Sequence, residues 1–184
     1  MPSYISVAEA AGLLPGCRRV MVIGCSGGGK TTLSLRLSER FALPYLSIDR
    51  DMRWLPGWQA RDRGEQRAIL TRLVAAERWI MDRSGPTGID LRVPRADLIL
   101  WVRVPRRVAL VNLALRVARN HGRVRVAMAE GCPEPLPDRA FLGYIWHFER
   151  RSAPRFVAQI DRHGPRVPVA LIRSRAEAAR LLAG

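Results

Sequence analysis

Gly24-Cys25-Ser26-Gly27-Gly28-Gly29-Lys30-Thr31 decides how this chain is read. The octet matches G-x-x-x-x-G-K-[ST] at every fixed position. Its glycines permit backbone angles that other residues avoid, so successive N–H groups turn inward around an anion. Lys30 supplies the ammonium that neutralises β- and γ-phosphate oxygens, and the Thr31 hydroxyl is suited to Mg²⁺. Thr32 follows in a helix whose positive end points at the same anion. Gly24, Ser26, Gly27, Gly28, Gly29, Lys30, Thr31 and Thr32 are therefore the candidate nucleotide-binding residues. Ser26, two places after Gly24, breaks the G-x-G-x-x-G of a dinucleotide site. No Asn-Lys-x-Asp string is present to read guanine, so ATP is the expected nucleotide.

The flanks fit. Arg18–Gly24 is a short apolar run that reads as a buried strand, and Lys30–Phe41 has helical spacing with Leu33, Leu37 and Phe41 on one face. Outward from there, short apolar strands alternate with helices. Further strands are expected at 44–49, 79–82, 98–104 and 167–172. Helices are expected at 6–14 (capped by Ser6), 65–78, 108–120, 139–160 with a break at Pro154, and 176–183. This alternation predicts an α/β P-loop fold: a three-layer α/β/α sandwich on a five-stranded parallel sheet, one domain over residues 1–184. Residues 121–139, rich in proline and glycine and without periodicity, read as a lid-like insertion.

Ligands of such sheets bind at the carboxyl ends of the strands, where Asp49 and Asp82 both fall. Asp82, closing an apolar strand, is the candidate Mg²⁺ partner of Thr31. Asp49 has two readings of equal weight: a base for an acceptor hydroxyl, or an acceptor-binding group. Backbone capping stands close behind, and Asp51 is a weaker alternative. Arg116 and Arg119, three apart at the entrance to the insertion, and Arg150 after it are candidate cations for a transferring phosphoryl group.

Composition narrows the class. A formal charge of +15 fits a phosphate-rich partner, a nucleotide or a nucleic acid. Lys30 is the only lysine among 31 basic residues, which marks a place where a compact ammonium is needed and a guanidinium does not fit. Cys17, Cys25 and Cys132 are far apart and have neither disulfide-framework nor zinc spacing. No apolar run is long enough to span a membrane, and residues 1–6 lack secretory-signal character, so the cytoplasm is the expected compartment.

Together the motifs resemble bacterial DNA topology modulation proteins, a group within the adenylate-kinase-like P-loop families. The resemblance runs from about Arg18 to Arg175. It rests on the phosphate loop, Asp49 with Trp54-Leu55-Pro56-Gly57-Trp58, and Glu77-Arg78-Trp79-Ile80-Met81-Asp82. Asp90-Leu91-Arg92, Ala96-Asp97, Met128-Ala129-Glu130-Gly131-Cys132-Pro133-Glu134 and Trp146-His147-Phe148 with Arg150-Arg151-Ser152 extend it. It implies a kinase architecture acting on a nucleotide or small hydroxyl acceptor held near Asp49 and Arg92, or a nucleotide-switched DNA effector. Two departures stand out: Arg83-Ser84-Gly85 where a Gly-Asn-Tyr-like sequence is expected, and Arg103 where an aspartate is usual.

Overall fold

The computed structural model describes every residue except Ser84, Pro86 and Gly184. In chain order it begins with β1 (Ser3–Ile5), α1 (Val7–Leu13), β2 (Arg19–Gly24), α2 (Lys30–Phe41) and β3 (Tyr45–Ser47). A π-helical turn (Asp49–Arg53) leads into the short hairpin β4 (Trp54–Leu55) and β5 (Gln59–Ala60), then α3 (Arg63–Ala75) and β6 (Trp79–Arg83). The chain continues through α4 (Ile89–Arg92), β7 (Leu98–Val102), α5 (Arg106–Asn120), α6 (Arg139–Arg151), α7 (Ala153–His163), β8 (Pro168–Ile172) and α8 (Arg175–Ala183).

The main sheet is parallel throughout, in the order β1-β8-β7-β2-β6-β3. It has six strands rather than five. The additional one, β1, is three residues long and pairs at the edge with β8, too short for any periodicity to announce it. Alternation along β2 explains the layers. Val20 and Val22 pack with Leu33 and Leu37 of α2, Leu181 of α8 and Ala10 of α1. Met21 and Ile23 face the other way, toward Leu70 of α3, Leu113 of α5, Phe148 of α6 and Phe156 of α7. Each such fully buried side chain contributes roughly 1.5–3 kcal/mol, and with both faces covered the strands read as unbroken apolar runs.

Local signals set several boundaries. Ser6 caps α1 in a reciprocal box with Glu9. The Asp62 carboxylate accepts from the Gly64 and Glu65 amides, so α3 starts two residues earlier than its apolar pattern suggests. The helix over 139–160 breaks at Ser152, two residues before Pro154, because proline is tolerated in a first turn and not in a helix interior. β3 stops at Ser47, and Asp49 opens the π-helical turn instead of ending a strand. Among the described residues no helix is long and apolar enough to cross a membrane.

Candidate active site

β2 sits between β6 and β7, so the phosphate loop emerges at the centre of the sheet's carboxyl edge. The loop threads a narrow gap. A Cβ on Gly24 would lie 2.2 Å from the Val102 carbonyl oxygen of β7, and one on Gly27 would lie 2.1 Å from the Ala109 carbonyl oxygen of α5. Only glycine passes there. The opposite holds at Gly29, the left-handed residue before α2: a Cβ would meet nothing within 4 Å, and no side chain caps the helix. The first amides of α2 thus have an open, uncapped approach of the kind an anion fills. Asn112 Nδ2 donates to the Gly27 carbonyl at 2.9 Å and is itself held by Arg175, which fixes the loop from the α5 side.

Lys30 is buried, and its Nζ donates to the Cys25 carbonyl at 2.8 Å. Burial pulls its pKa down, while the Asp82 carboxylate does most to keep it charged. Cys25 is buried too, and its thiol is pushed up to about 11, chiefly by burial, so it is neutral near pH 7.

Asp82 lies beside Val22 in the β2–β6 register. Thr31 Oγ1 donates to its Oδ2 at 2.7 Å, and the Tyr45 hydroxyl donates to its Oδ1 at 3.1 Å. Burial raises the carboxyl pKa, against the opposing pull of the Thr31 hydrogen bond and the Lys30 charge. A hydroxyl and a carboxylate are hard oxygen donors that fit Mg²⁺, which needs only one or two protein ligands besides phosphate oxygens and water. Among the described residues no group of three or more His, Cys, Asp or Glu could hold a metal alone. Nothing in the sequence marks Tyr45; only its place in the strand beside β6 brings it to Asp82.

Asp51 is engaged structurally, accepting from the Ser47 amide at 2.8 Å and pairing with Arg50. Asp49 is half-buried and its carboxylate accepts no hydrogen bond among the described residues, yet its charge is felt by Lys30, Arg83 and Arg92. Arg92 is fully buried, its Nη2 and Nε donating to the Thr87 and Gly88 carbonyls. Of the two departures, Arg83 is buried at the end of β6, while its neighbour Ser84 lies outside the described residues. Arg103 stacks over Trp101 and pairs with Glu149.

Residues 121–138 form an ordered loop with two isolated bridges. It is tied to the sheet edge: Ser47 Oγ donates to the Ala127 carbonyl at 2.7 Å, and Trp58 Nε1 to the Pro133 carbonyl at 3.1 Å. Trp54 and Trp58 pack on Met128, Ala129 and Cys132. Glu134, buried at the end of the Met128–Glu134 string, holds Arg116 at 2.9 Å and also pairs with Arg125. Arg116 is therefore beside the site, close enough to weaken the Lys30 cation, but clamped. Arg119 and Arg150 are not brought there; both are exposed and without an ion pair among the described residues. Glu134→Ala leaves two half-desolvated guanidiniums facing each other, so it is expected to cost about 3 kcal/mol. Thermal melting should fall by about 9 °C, with Glu134→Gln losing less.

No family model and no curated protein matches the chain. Against solved structures it resembles shikimate kinase from Acinetobacter baumannii in complex with shikimate, with a TM-score of 0.55 and 13% identity over 94% of this chain and 93% of that one. It also resembles shikimate kinase from Bacteroides thetaiotaomicron, with a TM-score of 0.51 and 14% identity over 91% and 95% of the two chains. At such identities the likeness defines the fold, that of the P-loop kinases. The resemblance to DNA topology modulation proteins gains no support from these comparisons, nor does binding to nucleic acid.

Proposed function

We propose that this chain is an ATP-dependent phosphotransferase that moves the γ-phosphoryl group of Mg-ATP to a nucleotide or a small hydroxyl acceptor. The observation that carries this reading is that Thr31 of the loop donates to Asp82 of the neighbouring strand, while Lys30, held inside the loop on the Cys25 carbonyl, feels the charges of Asp82 and Asp49. Thr31 and Asp82 would hold Mg²⁺, which would supply charge neutralisation to the phosphates. The loop amides and Lys30 hold the triphosphate in line, and Asp49 accepts the hydrogen of the acceptor hydroxyl and orients its oxygen. That oxygen bonds to the γ-phosphorus as the bridging P–O bond breaks; its electron pair leaves on ADP, and the acceptor proton passes to Asp49. Positioning and electrostatics do nearly all the work, as phosphoryl transfer requires.

The test is transfer of labelled γ-phosphate from ATP across a panel of nucleotides, nucleosides and small hydroxyl compounds, run beside an active kinase as control. Stoichiometric label in one acceptor is expected. Hydrolysis alone across the panel counts against the reading.

A nucleotide-switched nucleic-acid regulator is the second reading, and the charge of +15 is what favours it. It requires duplex binding that changes with ATP and falls steeply with salt. Weak retention indifferent to ATP is polycation behaviour.

A further inference from the structure

Two buried guanidiniums near the candidate acceptor position have more donors than the fold has acceptors. Arg83 is 5% exposed, and its Nε and Nη1 have no hydrogen-bond partner among the described residues. Arg92 is 0% exposed, and its Nη1 has none among them either. Left dry and unpaired, such groups are costly, and proteins keep them where something else completes them.

The nearby acids do not supply the deficit. Asp82 is occupied by Thr31 and Tyr45 and balances Lys30. Asp51 pairs with Arg50, and Asp90 pairs with Arg67 at 2.8 Å. The Asp49 carboxylate is the one without a hydrogen-bonded partner among the described residues; both Arg83 and Arg92 feel its charge, and Arg92 also feels Asp82 and Asp90 and is repelled by Arg83. Arg53 adds a further positive charge on the Arg83 side. The cluster carries an excess of positive charge and three donor nitrogens without acceptors among the described residues, at the carboxyl end of β6 beside the Asp82 that holds Thr31. A guanidinium suits a planar or tetrahedral oxyanion, and the donors left for one are Nε and Nη1 of Arg83 and Nη1 of Arg92.

We propose that Arg83 and Arg92 form an anion-binding floor in the acceptor pocket, so that the acceptor is a small hydroxyl compound carrying a carboxylate or a phosphate. Arg83 is the specificity-determining residue of the pair, because it carries two of the three unpartnered nitrogens. The term acceptor rests on the phosphotransferase reading; the anion site does not.

The experiment is equilibrium titration of the full chain, saturated with Mg²⁺ and a non-hydrolysable ATP analogue so that the phosphate loop is filled. The probes are small hydroxycarboxylates and phosphate monoesters, each paired with its neutral alcohol; glycerate and glycerol phosphate against glycerol form one such set. At least one charged probe is expected to bind ten-fold or more tighter than its neutral partner. Whether the carboxylates or the phosphate esters show it assigns the oxyanion. Arg83→Met should abolish that preference, Arg83→Lys should retain part of it, and affinity for the ATP analogue should stay unchanged. In ligand-free protein, Arg83→Met is expected to raise the melting temperature, since it removes an unpaired buried charge. A fall would mean that Arg83 is already satisfied inside the fold and would overturn the proposal. So would the absence of charge preference across the panel, or a preference that survives in both Arg83→Met and Arg92→Met. Failure of the ATP analogue to bind would sink the phosphotransferase reading alone, since the charge preference is then read without it.

Discussion

Lys30→Ala is expected to lower phosphoryl transfer by roughly 10²–10³-fold or more, the scale on which removing one preorganised donor at a developing charge acts. The side chain is buried and its Nζ rests 2.8 Å from the Cys25 carbonyl, inside its own loop. It is therefore held where a β–γ phosphate bridge would lie, without a flexible search from solvent. Lys30→Arg is expected to fail nearly as badly. The loop is bounded by backbone on both sides at Gly24 and Gly27, and a guanidinium is wider than the ammonium it replaces. In a chain whose other 30 basic residues are arginine, that intolerance accounts for the single lysine. Steady-state transfer with both variants, with circular dichroism to establish folding, checks this. Full activity in Lys30→Arg would remove the steric argument, and full activity in Lys30→Ala would remove the site.

Asp82→Asn should cost activity far more than stability. Transfer is expected to drop by at least roughly 10²-fold, because an amide holds Mg²⁺ far less well than a carboxylate does. Two opposing effects act on the fold. Burial holds the Asp82 carboxyl above its ordinary range, so removing that charge relieves a cost, and an asparagine of the same shape keeps a polar contact to both the Thr31 and Tyr45 hydroxyls. It also removes the carboxylate that does most to keep buried Lys30 charged, and stranding one partner of a buried pair is the larger effect. The net loss expected is about 2 kcal/mol, or ~6 °C in melting temperature. Full transfer by folded Asp82→Asn would show that Asp82 serves the fold rather than the ligand.

Much of the site was legible in the chain because its parts obey local rules. The phosphate loop is contiguous, and the positive φ of Gly24, Gly27 and Gly29 is a local demand that glycine meets. Asp82 was readable because an acid closing an apolar strand has few other reasons to be there. What escaped depends on tertiary placement. Tyr45 reaches Asp82 only because β3 pairs with β6. Glu134 gathers Arg116 and Arg125 across a loop whose path no periodicity describes. Arg116 and Arg119 share a helical spacing, but only the first turns toward Glu134, since three residues on a helix leave about 60° between them. The sixth strand, β1, is a matter of three residues and an edge.

The most direct test is calorimetric titration of ATP into the folded chain with Mg²⁺ present. Saturable binding at one site per chain is expected, lost in Lys30→Ala and weakened when Mg²⁺ is removed. Wild-type protein that stays folded and takes up no ATP would contradict the assignment of the loop, and the phosphotransferase reading with it.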